Sequence, residues 1–119
     1  MSKNLIIGMT FPKQDKNLGL EPSLLTVFPE GENVIYSMEN DNRFNDEDVL
    51  YYMCSVYITG LNEFKRWAAK HDKSKIICGG YEPTMNPDTF TPYAFKIITG
   101  PCDDFNETMK QKGQIVKGS

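Results

Sequence analysis

Short apolar runs separated by turn-forming residues set the rhythm of this chain. Five of them, Leu5–Met9, Asn33–Met38, Val49–Cys54, Lys75–Cys78 and Phe95–Thr99, are rich in Ile, Val or Tyr and end near Gly, Pro, Asn or Ser. Runs of this length without clean alternation read as strands buried on both faces. Between the third and fourth, Thr59 to His71 has helical periodicity. Leu61, Phe64, Ala68 and His71 share one face with Trp67 beside them, while Lys65, Arg66 and Lys70 lie elsewhere. Thr59 is placed to cap that helix. Strand, helix and strand in succession make a crossover, which forces the two strands parallel. A second helix is predicted from Asp103 or Asp104 to about Lys112, with an acidic start, a basic end and Gly113 as stop. A short helix fits Pro22–Phe28, and the prolines around Met85–Tyr93 predict an irregular loop or one helical turn.

These elements predict one domain, residues 1–119, of class α/β. Its expected core is a small Rossmann-like (flavodoxin-like), mostly parallel five-stranded sheet with reduced helix coverage. The join between the second and third strands, Glu39–Asp48, is polar and rich in Asn and Asp, and does not suit a buried crossover helix. One sheet face is therefore expected to be thinly covered, and to dock on another protein domain or a second copy of the chain.

Composition narrows the partners. The net charge is −3, the acids gather in Met38–Asp48 and Lys is dispersed. No basic stripe exists to displace counterions from phosphates, so nucleic acid is not an expected partner. The amino-terminal apolar run is too short for a signal peptide or for a span of roughly 20 residues, so no membrane association is expected. Three cysteines, an odd number without an export signal, predict reduced thiols and a cytoplasmic location. Lys117-Gly118-Ser119 carries no structural signal.

In open α/β sheets ligands bind beyond the carboxyl ends of the strands. There Gly79 and Gly80 let backbone pass close to a bulky ligand, Gly100-Pro101 makes a tight strand exit, and Ser55 and Thr59 put hydroxyls beside a helix start. A double glycine also simply makes a turn. Cys54, Cys78 and Cys102 recur every 24 residues at strand ends, but without a C-x-x-C pair they read as buried thiols and no metal site is expected. His71, the lone histidine, has no Ser or Cys near it in sequence, and Asp103-Asp104 reads as helix capping. With no Walker loop and no G-x-G-x-x-G, no catalytic constellation is complete, and the chain is not expected to act as an enzyme alone.

Several segments together resemble the N-terminal cobalamin-binding domain of cobalamin-dependent radical S-adenosylmethionine enzymes. Leu18-Gly19-Leu20 is similar to that family's L-G-L before its first helix, and Asn33–Asn40 to its second strand. Asp48–Thr59 resembles its D-V-V-G-I-S strand. Lys75-Ile76-Ile77-Cys78-Gly79-Gly80-Tyr81-Glu82-Pro83-Thr84 with Pro87 resembles its G-G-p-h-p-T…P segment, and Ala94–Asp104 its D-x-V-x-x-G-E-G-E strand exit. The resemblance implies a non-catalytic cobalamin-binding-like domain, free-standing or the front end of a larger radical enzyme. It places the cofactor over Ser55, Thr59, Gly79, Gly80, Thr84 and Gly100. The departures are specific. Thr10–Lys16 has no histidine where cobalt-ligating relatives carry D-x-H-x-x-G, the C-x-x-x-C-x-x-C iron–sulfur signature is missing, and Gly100-Pro101-Cys102-Asp103 replaces G-E-G-E. They keep open an alternative: a degenerate Rossmann-like scaffold that works by protein–protein interaction without cofactor.

Overall fold

All five expected strands form, and a sixth joins them. A computed structural model describes residues 5–12, 34–37 and 45–119. The helix expected at Pro22–Phe28, the Leu18-Gly19-Leu20 segment and most of the Glu39–Asp48 join lie outside the described residues. The strands are β1 (Leu5–Phe11), β2 (Val34–Ser37), β3 (Val49–Val56), β4 (Ile76–Gly79), β5 (Lys96–Thr99) and β6 (Ile115–Lys117). They lie in the order β2-β1-β3-β4-β5-β6, and every neighbouring pair is parallel. The first five have the flavodoxin-like order 2-1-3-4-5, whose direction of winding reverses between β1 and β3. The α/β, Rossmann-like class is thereby established.

Alternation along the strands sorts side chains onto two faces. On one face Ile7, Met9, Phe11, Tyr52, Cys54, Val56, Ile76, Cys78 and Ile97 form a core with Phe64, Trp67 and Ala68. Those last three come from helix α1 (Leu61–Ala68), whose apolar stripe was legible in the sequence. The Phe64 ring packs 5.4 Å from Phe11 and 5.5 Å from Phe90, and burying such a ring contributes about 1.5–3 kcal/mol. The opposite face carries Ile6, Met53, Ile77, Ile98 and Val116 under Phe105 and Met109 of helix α3 (Phe105–Met109). Asp104 caps α3, its Oδ1 accepting from the Glu107 amide at 3.1 Å, which is the structural role expected of that acid.

Both boundaries of α1 differ from the sequence reading, and α3 ends at Met109 instead of continuing to about Lys112. Helix α1 stops at Ala68, and Ala69 to His71 continue as a tight turn whose amides bond back to Lys65, Trp67 and Ala68. Its amino-terminal cap is Gly60, and Thr59 sits exposed inside a preceding 3₁₀ turn, Ile58–Gly60. The reason is packing. A Cβ at Gly60 would lie 2.0 Å from the Pro12 nitrogen and 2.1 Å from the Phe11 carbonyl carbon, so glycine alone lets the helix start against the β1 exit.

The tail is part of the fold. Gly118 N–H donates to Thr99 O at 2.7 Å, Ser119 N–H donates to Thr108 Oγ1 at 2.9 Å, and Ser119 O accepts the Asp103 and Asp104 amides at 2.7 and 2.6 Å. Strand β6 escaped the sequence reading because three residues between Gly113 and a polar end give too little periodicity to see.

Candidate functional site at the carboxyl edge

The exits of β3, β4 and β5 enclose a cleft of about 460 Å³ lined by Tyr57, Gly80, Tyr81, Thr84, Met85, Gly100 and Pro101. Each wall has a local cause. Gly80 has φ 95° and ψ −159°, a conformation open essentially to glycine alone, and it turns the chain from β4 into helix α2 (Tyr81–Met85). Gly100, at φ 74°, turns β5 outward. Thr84 joins the two exits: its Oγ1 donates to Gly80 O at 2.6 Å and accepts the Gly100 amide at 2.9 Å. Tyr57 is held at the β3 end by its amide, which donates to Phe11 O at 2.8 Å.

The structure brings three of the six residues named from sequence, Gly80, Thr84 and Gly100, into this cleft. Thr84 shapes it through backbone bonds. Gly79 is buried at the end of β4 beside Ser55, its register partner on β3. Ser55 is 1% exposed. Thr59 faces solvent and does not line the cleft. The remaining lining residues, Tyr57, Tyr81, Met85 and Pro101, were missed as ligand contacts. Their signal was adjacency to the glycine exits. Phe11 is fully buried in the core beneath α1 and does not fill this edge, and Tyr81 and Met85 are 65% and 60% exposed. The edge therefore stays open.

Close to the exits of β1 and β3 sits a polar anomaly. Thr10 of β1 and Ser55 of β3 are register partners, buried, and neither hydroxyl has a hydrogen-bond partner among the described residues. A buried hydroxyl left unpaired costs about 1–3 kcal/mol, so such groups concentrate where something else is to be bound.

The opposite, amino edge of the sheet holds a fully bonded polar cluster. Asp46 Oδ1 accepts from the Tyr52 hydroxyl at 2.6 Å and faces His71 Nδ1 at 2.8 Å, and Oδ2 accepts the Asp72 amide at 2.7 Å. The Lys75 ammonium donates to Asp46 O. The His71 ring stacks on Trp67 at 4.4 Å. Partial burial works to raise the Asp46 pKa, but the bonds from Tyr52, His71 and the Asp72 amide outweigh it and hold the carboxyl below its ordinary 3.8. Burial first, and then the Asp46 carboxylate, push the Tyr52 phenol well above its ordinary range. The only histidine is thus committed to a structural tie far from the strand exits.

The three cysteines do not converge. Cys54 and Cys78 are register partners in the α1-side core, with thiol pKa values raised by burial, while Cys102 lies on the other face with Sγ 3.3 Å from Thr108 Oγ1. Among the described residues, no helix is long and apolar enough to cross a membrane. No family model matches the chain, and no curated protein or solved structure matches it either.

Proposed function

We propose that this chain is a non-catalytic binding domain that seats a cobalamin-type cofactor over the carboxyl edge of its sheet, free-standing or as the front end of a larger radical enzyme. The observation that carries this reading is the open cleft, with flat or flexible apolar side chains on glycine-built exits next to the strand-order reversal. Its volume lies within the roughly 300–1,000 Å³ of small-molecule sites. A corrin ring is larger, so it would stand partly out of the cleft, against the exposed faces of Tyr81 and Met85 that form its wall. The residues fit that role in kind: Tyr57, Tyr81, Met85 and Pro101 offer apolar contact, and the Gly80 and Gly100 backbones allow close approach. When bound, the cofactor supplies an organocobalt centre, and the chain's part is to hold and shield it. His71 takes no part in cobalt ligation in this reading, because it is tied to Asp46 at the other edge.

Incubation with hydroxocobalamin, desalting and a visible spectrum test the proposal. A retained corrin band is expected, and a colourless, folded protein rejects it. Rejection would leave the second reading, a degenerate scaffold that binds another protein domain or a second copy without cofactor. That reading is favoured by one observation: Ile58, Tyr81 and Met85 are all 60% exposed or more at this end of the sheet.

A further inference from the structure

The cleft wall that Pro101 forms is in contact with the carboxyl-terminal tail. Between β5 and α3 the chain from Gly100 to Asp104 follows neither helix nor strand, so its path depends on bonds to other parts of the fold. From the cleft lining, Thr84 Oγ1 accepts the Gly100 amide. From outside that lining, the tail brackets the segment. Gly118 N–H donates to Thr99 O just before it, and Ser119 O accepts the Asp103 and Asp104 amides at its far end. Midway, the contact is backbone against backbone. A Cβ at Gly118 would lie 2.0 Å from Pro101 O and 2.7 Å from Pro101 C. Gly118 is not among the glycines at positive φ, so space rather than conformational freedom requires glycine here.

The tail is seated by groups that do not line the cleft. Val116 is buried in the core on the α3 side. The Gln111 side chain clasps Lys117, its Oε1 accepting the Lys117 amide at 3.2 Å and its Nε2 donating to Lys117 O. Ser119 N–H donates to the hydroxyl of Thr108, which is fully buried. The position of Gly118 is therefore set by α3 and the core, and Pro101 lies directly against it.

We propose that Gly118 and Ser119 are positioning residues for the cleft: they fix the Pro101 wall from outside, so that seating of the tail and occupancy of the cleft favour each other. For the ligand this rests on the binding-domain reading; for the placing of the wall it does not. Two residues without a signal in the sequence thereby serve the site without touching its ligand.

Gly118→Ala and Ser119→Ala, made in the full chain, test this. The first sets a methyl group against the Pro101 carbonyl, so tail or wall must move. The second keeps every backbone bond of the tail and serves as the silent control. In the ligand-free protein, Gly118→Ala is expected to quicken amide hydrogen exchange of Asp103 and Asp104 by at least about tenfold. It should also shift the Gly100 amide signal, and Ser119→Ala should do neither. The thermal midpoint of Gly118→Ala should fall by about 5 °C or less, because β6 is a three-residue edge strand that can lift without opening the core. At 25 °C, with both proteins folded, Gly118→Ala is expected to bind hydroxocobalamin at least about tenfold more weakly and Ser119→Ala as the unaltered chain does. By reciprocity, bound hydroxocobalamin should slow exchange of Asp103 and Asp104 in the unaltered chain. Either of two results would overturn the proposal: Gly100, Asp103 and Asp104 amides unaffected by Gly118→Ala, or hydroxocobalamin held as tightly by that variant as by the unaltered chain. If Gly118→Ala does not fold, Gln111→Ala replaces it, since it unclasps Lys117 and sets nothing against Pro101. The same results are then expected, and the same two overturn. A colourless unaltered chain rejects the cofactor reading, and the ligand-free exchange then decides the role of the tail alone. A coloured chain whose Gly118→Ala variant behaves no differently keeps the cofactor and rejects the tail.

Discussion

The two ends of this sheet are built on opposite principles. At the amino edge, Asp46 gathers a tyrosine hydroxyl, a histidine ring and a backbone amide on its two carboxylate oxygens, and the histidine is stacked on Trp67. At the carboxyl edge, two buried hydroxyls have no partner among the described residues, two glycines turn the chain at positive φ, and large apolar side chains stand in solvent. One end is closed and satisfied, and the other is open and unsatisfied. Among the described residues the unpartnered buried side-chain groups fall at one place only, and such places are where proteins put function. The contrast makes a sharp claim: substitutions at the amino edge should cost stability, and substitutions at the carboxyl rim should cost binding.

The largest expected effect marks the limit of that claim. Gly60→Ala, on the back wall of the carboxyl edge, would drive a methyl group into the Phe11–Pro12 backbone at about 2 Å, where no flexible side chain can yield. A loss of at least about 3 kcal/mol is expected from urea unfolding, above the usual cost of overpacking. A change under 1 kcal/mol would show that α1 does not rest on the β1 exit as tightly as the structure has it. The open edge is thus expected to have a rigid back and a permissive rim.

Asp46→Ala comes next. It strips the partner from the Tyr52 hydroxyl, the His71 ring and the Asp72 amide at once, and about 2 kcal/mol of stability should go with it. Hydroxocobalamin retention should be unchanged, since the cluster is at the far edge. Loss of binding with stability intact would break the comparison outright.

The same cluster sets a pH dependence whose sign follows from linkage. The folded-state pKa of Asp46 lies below its ordinary 3.8, so its contribution is fully present above that value. As pH falls from there through the depressed folded-state pKa, that contribution is lost. Thermal midpoints of the unaltered chain and of Asp46→Ala should therefore converge as pH is lowered below about 3.8 and stay apart at pH 6. Curves that remain parallel down to pH 2 would mean that the carboxylate is not what holds the cluster.

How much of this was readable beforehand depends on how local each signal is. The strands β1 to β5 and the buried stripe of α1 were legible because hydrophobic period is written within a few adjacent residues. Gly80 and Gly100 were legible for the same reason, as glycines at predicted strand exits. Thr10 was not, since its importance depends on lying next to Ser55, 45 positions away in number, a fact of strand order rather than of local pattern. The Asp46 cluster was invisible likewise: Asp46, Tyr52 and His71 are joined only when the β3 start meets the α1 end. Thr59 was misplaced as a cap because the close approach of Gly60 to Pro12 overrides side-chain capping preference.

The smallest expected stability effect belongs to Thr84, and it separates a positioning role from direct ligand contact. Its hydroxyl is already spent on Gly80 O and the Gly100 amide, so Thr84→Val removes a brace between two strand exits. The side chain is only partly buried, and water can take up some of the freed bonds, so about 1 kcal/mol or less should be lost. Hydrogen exchange of the Gly100 amide should quicken all the same, because its acceptor is gone. Thr84→Ser keeps the hydroxyl and should restore slow exchange. If Thr84→Val leaves Gly100 exchange untouched, the rim is held by something other than this brace. If the valine variant quickens exchange but retains hydroxocobalamin as well as the unaltered chain does, the cleft does not need the brace to bind, and the walls of the site are set by the glycine turns alone.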